Sequence, residues 1–224
     1  MPALLVVLAY MLGATPTSYW VGRGFFGVDL REKGSGNLGA TNTFRVLGWK
    51  AALPVALFDV FKGWLPAALF AGWAGVADPV VWSIAFGAAA IFGHVFSIWV
   101  GFRGGKGVAT SAGVFLAMAP WATLICLGAF VVVVWATRMV SAGSITAALV
   151  LTPAVIFTPA RGGSVVVAFS AVLATFVIWA HRSNIQRILR GEESRFGGGG
   201  NPVASESQNS PPPPSRPHTN GGTP

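Results

Sequence analysis

Charge is scarce in this 224-residue chain, and acid is scarcer: 10% of the residues are charged, with seven Asp or Glu. An ordinary soluble domain carries roughly a quarter charged residues, so a conventional water-facing surface is excluded. Cysteine is nearly absent as well. Cys126 is the single one and lies in an apolar run, which rules out a disulfide framework and leaves the redox compartment unreadable. The His and Cys residues never fall at metal-ligand spacing, so no metal and no other cofactor is expected. Apolar residues dominate instead, at 53% with nine Trp, and the mean hydropathy is +0.63. These values belong to an integral membrane protein. The net charge of +8 sits in loops and in the C-terminal segment, which suits positive-inside topology and anionic headgroups and excludes nucleic acid as the partner.

Along the chain, residues 2–22 are long enough for one crossing and lack the basic start of a signal peptide. Arg23, Arg31, Lys33, Arg45 and Lys50 follow at once, so the N-terminus is expected outside and the 23–50 loop in the cytoplasm. Further apolar stretches occupy 51–75 and 80–100. The first contains Asp59 and Lys62, three apart on one helix face and able to neutralise each other. The run 108–137 holds Pro120, which divides it into 108–119 and 121–137, either a re-entrant pair or two tight crossings. With 139–160 and 163–181, that division brings the basic segment after His181 back to the cytoplasm. The expectation is an all-α integral membrane protein: a compact bundle of about seven transmembrane or half-spanning helices, N-terminus outside and C-terminus cytoplasmic. Residues 1–196 form the membrane-embedded domain. Residues 197–224, rich in Gly and Pro, read as a disordered cytoplasmic tail that includes His218.

This topology places three unusual polar stretches on one membrane face: Ser35 to Arg45, His94 to Lys106, and His181 to Glu193. The first carries Gly, Asn, hydroxyls and one Arg, which together can bind an anion. In the second, Gly104-Gly105-Lys106-Gly107 is not a P-loop, because Gly107 stands where the magnesium-binding hydroxyl is needed and no strand precedes it. It remains a glycine-rich turn beside Lys106 and Arg103, suited to cradle an anion. In the third, Asn184 lies three residues beyond His181 and shares its helical face. Cations at Arg45, Arg103, Lys106, Arg182 and Arg187, with amides at Asn37, Asn42 and Asn184, suit a substrate that has phosphate groups and an apolar part. Enzymes of lipid headgroup chemistry, organic-phosphate transporters and lipid-binding scaffolds all remain open on these residues.

The three stretches resemble, in order and spacing, the signature motifs of the bacterial membrane acyl-phosphate:glycerol-3-phosphate acyltransferases: Ser-Gly-Asn-Leu-Gly-Ala-Thr-Asn-Thr-Phe-Arg (35–45), Gly-His-Val-Phe-Ser (93–97) with Gly-Gly-Lys-Gly-Val-Ala-Thr (104–110), and His-Arg-Ser-Asn-Ile-Gln-Arg (181–187). Asp59 to Gly63 resembles a further Lys-Gly element of that family, whereas Ser97 stands where the family usually has Pro. The resemblance implies acyl transfer from a fatty acyl phosphate to the sn-1 hydroxyl of glycerol 3-phosphate, giving lysophosphatidic acid in a bacterial cell membrane. It implies no acyl-enzyme and no metal, because acyl phosphate already carries a good leaving group. Ser35, Gly36 and Asn37 would then line a phosphate hole. Arg45, Lys106, His181 and Asn184 would engage glycerol 3-phosphate or the transferring phosphate. Lys62 and His94 would support them, with Thr41, Asn42, Gly104 and Gly105 completing the substrate contacts. The general base stays open among His181, His94 and the substrate's own phosphate. The His-x-x-x-x-Asp pair of another acyltransferase superfamily is absent, since Trp99 and Gln186 stand five residues after His94 and His181. Glycerol 3-phosphate, fatty acyl phosphate and membrane lipids are the expected partners, and the oligomeric state is not fixed, a monomer included.

Overall fold

Long apolar stretches deprived of water must satisfy their backbone internally, and among the described residues, 1–196, this chain does so with helices alone. The expected tail, 197–224, lies outside the described residues of this computed structural model. Ten α-helices follow in order: α1 (Pro2–Ala14), α2 (Thr17–Phe26), α3 (Ala40–Leu47), α4 (Trp49–Ala74), α5 (Pro79–Val95), α6 (Val108–Met118), α7 (Pro120–Thr137), α8 (Val140–Phe157), α9 (Gly163–Ala180) and α10 (Arg182–Leu189). Five of them are long and apolar enough to cross a membrane, or six when α1 and α2 count as one bent span.

All seven expected apolar pieces are present. The first is not one straight helix. Pro16 lacks an N–H and disfavours helical backbone at Thr15, so the chain turns by 42° between α1 and α2. Orphaned carbonyls at the break are capped from elsewhere in the chain: Ser97 Oγ, just past α5, donates to the Ala14 carbonyl, and Lys62 Nζ of α4 donates to that of Thr15 at 2.9 Å. The hydroxyl that stands in place of the expected proline at 97 thus has a defined task. Two further helices lie in the polar stretches: α3, in a segment that sequence alone reads as loop, and α10, which carries the helical face expected for Asn184.

Small residues set the packing. A Cβ at Gly63 would collide with the Thr110 carbonyl and one at Gly113 with that of Val60, so α4 and α6 run in backbone contact. Gly13 and Gly93 do the same for α1 and α5. The 108–137 run resolves into two helices that each connect the two ends of the bundle. Lys106, just before α6, meets Asn184 beyond α9, while Met118 at the end of α6 accepts the Arg161 N–H (3.0 Å) from the α8–α9 turn. The chain then returns through α7 to Arg138, whose carbonyl accepts the Phe196 N–H at 2.8 Å. At the other end Leu5 of α1 packs with Phe70 and Ala71 of late α4. The start of α1 and the end of α9 therefore lie at opposite ends. Exposed Trp121, Trp135, Phe157 and Leu57 coat the outside, as a lipid-facing surface requires.

Candidate active site

The loops of one bundle end close over a cavity of about 850 Å³ whose mouth is polar and whose body is apolar. The first wall is the 35–45 segment, and a single side chain shapes it. Asn42, 1% exposed, accepts the Ser35 N–H (2.8 Å) through Oδ1 and donates through Nδ2 to the carbonyls of Leu30 and Lys33, both at 3.0 Å. Those bonds wrap the loop back onto α3, with Gly34 and Gly36 taking the left-handed backbone that the turn demands (φ 63° and 69°). Asn42 borders the cavity, yet its amide is occupied in holding the loop. Ser35, Gly36, Asn37, Thr41 and Arg45 line the cavity beside it, with Gly39 and Ala40 at the start of α3.

The second wall is the glycine-rich turn. The Gly104 N–H donates to Val95 (2.9 Å) and the Gly105 N–H to His94 (3.1 Å), folding the turn flat onto the end of α5. Any Cβ at Gly104 would strike the His94 carbonyl, and one at Gly105 the His94 ring, so close approach is what requires both glycines. Gly104 and Lys106 reach the cavity; Gly105 does not. Beneath them His94 is buried, its Nδ1 3.7 Å from Asp59 Oδ1. Asp59 pairs with Lys62 at 2.7 Å and takes a weaker bond from Thr17 Oγ1 at 3.4 Å. Lys62 is 1% exposed and absent from the cavity lining, so it braces the α1–α2 break and Asp59 instead of facing substrate.

The third wall follows α9. Lys106 Nζ donates to Asn184 Oδ1, and Asn184 Nδ2 donates to Glu193 Oε1 at 2.8 Å. Glu193 also accepts from Ser141 Oγ (2.7 Å) and Arg187 Nε (2.7 Å). This carboxylate therefore aims Lys106, through Asn184, and Arg187 from one point. Sequence reasoning missed it; an acidic residue among so many cations was the available signal. Burial pushes Glu193 up, but the three hydrogen bonds outweigh it and hold the carboxyl below its usual range. Burial, reinforced by the nearby charges of Arg187, Arg45 and Arg182, brings Lys106 down to about 8. His181, 3% exposed on the cavity wall, is lowered chiefly by burial. Its Nδ1 lies 2.8 Å from the Val177 carbonyl, which can only accept, so Nδ1 carries the proton and Nε2 keeps a lone pair.

Ser35, Gly36, Asn37, Thr41, Asn42, Arg45, His94, Gly104, Lys106, His181 and Asn184 all border one cavity; of the expected residues Lys62 and Gly105 stand behind it. Cations outnumber carboxylates around its mouth, so the site calls for anions. Its body runs between α6, α7, α8 and α9 past Phe115, Leu127, Phe130, Ala148 and Leu151, a lining suited to a hydrocarbon chain. No group of three His, Cys, Asp or Glu that could hold a metal occurs among the described residues.

This geometry has close counterparts. The sequence profile of the family described as glycerol-3-phosphate acyltransferase matches residues 3–191. The glycerol-3-phosphate acyltransferase of Fusobacterium nucleatum subsp. nucleatum is 44% identical over 191 residues, 85% of this chain and 96% of that one. The enzyme of the same name from Synechococcus sp. (strain CC9902) is 46% identical over 194 residues, covering 87% and 94%. The crystal structure of PlsY (YgiH), an integral membrane glycerol 3-phosphate acyltransferase, in its glycerol 3-phosphate form superposes with a TM-score of 0.78 at 35% identity, covering 93% of this chain and 99% of that one. Its lysophosphatidic acid form superposes at 0.75 and 36% identity, covering 88% and 95%. The chain is thus a multi-pass membrane protein that belongs to the glycerol-3-phosphate acyltransferase family.

Proposed function

We propose that the protein transfers a fatty acyl group from acyl phosphate to the sn-1 hydroxyl of glycerol 3-phosphate, releasing lysophosphatidic acid and phosphate, directly and without metal or acyl-enzyme. The observation that carries this reading is the single cavity with a cationic, amide-lined mouth and an apolar body. Acyl transfer to glycerol 3-phosphate agrees with the relatives' names and with the two ligand forms of the solved structures. The acyl phosphate donor rests on the chemistry of the site. Two phosphates must be held side by side, and the mouth offers two sets of donors to do it. The Ser35–Asn37 loop and Gly104 suit the donor's phosphate. Arg45, Lys106, Asn184 and Arg187 suit glycerol 3-phosphate.

Rate then comes from proximity and from charge placed where the transition state develops it. The sn-1 oxygen attacks the carbonyl carbon, the carbonyl electron pair moves onto oxygen and returns, and the C–O bond to phosphate breaks with its electrons on the leaving group. The hydroxyl proton has three candidate acceptors in the site, Nε2 of His181, His94 and a phosphate oxygen, and ends on the released phosphate. The mouth faces the cytoplasm on the positive-inside rule, where Arg31, Lys33, Arg45, Lys50, Arg187 and Arg190 gather. Radiolabelled glycerol 3-phosphate, supplied with palmitoyl phosphate to purified protein in detergent, should appear in lysophosphatidic acid. No incorporation from acyl phosphate, with incorporation from an acyl thioester, would overturn the donor assignment. For the topology, a Cys126→Ala background with single cysteines at Ser35 and Ser183 should label from the cytoplasmic side only.

A further inference from the structure

The apolar body of the cavity has a floor. Its lining ends at Leu116 on α6, Thr123 on α7, Leu151 on α8 and Leu173 on α9. Within one turn further on, each wall helix becomes solid. Met118, Ala122, Ala154 and Ser170 are buried and border no part of the cavity, and the first three belong to one packed hydrophobic cluster. Contacts between helices fasten the walls at this depth. The Phe115 ring, itself on the lining, stacks on Phe169 of α9 with centroids 5.5 Å apart and 10° between the planes. The hydroxyls of Thr152 on α8 and Ser170 on α9 hydrogen-bond at 3.2 Å.

The depth of that floor has a meaning. From Lys106 at the mouth to Leu116 is roughly 15 Å along the α6 axis, and from Val140 to Leu151 roughly 16 Å along α8. Half of a bilayer's hydrocarbon core is about as deep, at ~15 Å. The body therefore holds an acyl chain of membrane-lipid length and then stops. Of the side chains at the floor, Phe115 is committed to Phe169, whereas Leu151 is half-buried, lines the cavity and packs against the cluster below.

We propose that Leu151 is a specificity-determining residue that meets the methyl end of the acyl chain and sets the longest chain the protein transfers efficiently. Extra methylenes would have to push into packed core or lift the carbonyl away from the sn-1 hydroxyl, which costs rate through misplacement of the reacting carbon. A shorter chain leaves apolar wall unfilled and gives up burial and contact. This inference rests on the donor assignment above.

The test supplies lauroyl, myristoyl, palmitoyl, stearoyl and arachidoyl phosphate to purified protein at saturating glycerol 3-phosphate. In the unchanged chain kcat/KM should peak within the series and fall about tenfold at the next longer member. Leu151→Ala deepens the cavity and should move the peak to a longer chain; Leu151→Phe fills it and should move the peak to a shorter one. The KM for glycerol 3-phosphate should stay within about twofold in both. The two shifts are opposite in sign, so if melting temperature shows one variant to be misfolded the other still decides. A flat profile in the unchanged chain, as a tail running out past the half-exposed Leu124 and Leu127 into lipid would give, overturns the inference. A peak that stays in place, or a loss of rate uniform across the series, overturns it as well, and each leaves the donor assignment standing. Failure of the unchanged protein to use any of these acyl phosphates would remove the donor assignment and this role with it.

Discussion

Two of the charged groups in this largely apolar molecule, one beneath the cavity and one at its mouth, are built oppositely. At the α1–α2 break, Lys62 meets Asp59 at 2.7 Å and the Thr15 carbonyl at 2.9 Å. The pair is closed: each charge has a protein partner, and the ammonium is hidden from the cavity. At the mouth, Arg45 donates no hydrogen bond to a described residue, Lys106 hydrogen-bonds the amide of Asn184, and Glu193 pairs with Arg187, leaving cations in excess among the described residues there. A satisfied ion pair holds a fold together; an excess of one sign in a cavity awaits a ligand of the other. The same residue type, lysine, serves both ends and differs only in what it faces.

That contrast can be tested by breaking each side. Lys62→Ala leaves Asp59 as a buried, uncompensated charge and should cost about 3–5 kcal/mol of stability, measured by thermal or denaturant unfolding in detergent. The fraction that remains folded should keep near-normal KM values. A low KM-specific activity with normal stability would move Lys62 into the site. Lys106→Ala and Arg45→Ala should do the reverse, each lowering kcat/KM by at least about 100-fold, roughly 2.7 kcal/mol of transition-state binding, with little change in melting temperature. Near-normal activity in either folded variant would take that cation out of the site.

The pH dependence follows from Lys106. Its pKa is about 8 in the free protein, so the ammonium is intact below that pH and is lost as pH rises through it. On that basis kcat/KM for glycerol 3-phosphate should decline toward tenfold per unit above about pH 8, and Lys106→Arg should move the decline to higher pH. A flat profile to pH 10 would separate binding from this charge. Glu193→Gln should have a smaller effect, about tenfold in kcat/KM, because the amide keeps the shape but weakens the charge-assisted bond to Arg187. Smallest of all, EDTA should leave the rate unchanged; inhibition reversed by one divalent ion would refute the metal-free reaction.

Much of the fold was legible because hydrophobic length reports directly on membrane crossing. Pro120 marked the α6–α7 boundary through its missing N–H. The division at Thr15–Pro16 was not read, since residues 2–22 look continuous by hydropathy and the break is stabilised by Ser97 and Lys62, far away in sequence. Helix α3 was hidden by polarity, because its Asn42 binds the loop at Leu30, Lys33 and Ser35 instead of facing lipid. In the site, the motifs' resemblance to the acyltransferase family pointed to Ser35, Arg45, Lys106, His181 and Asn184. Their division of labour with Asn42, Lys62 and Gly105 did not show, nor did the role of Glu193.

By itself, then, the sequence determined that the chain is an integral membrane protein, where its apolar helices run, and that three polar stretches share one end. Those properties follow from local hydropathy, charge asymmetry and proline. Only the tertiary structure decided which polar groups face one another. Hydrogen bonding and ion pairing depend on distances of about 3 Å between residues tens of positions apart, as between Lys106 and Asn184 or Lys62 and Thr15. Whether a lysine is a brace or a binding group is settled by that proximity, and no local pattern encodes it.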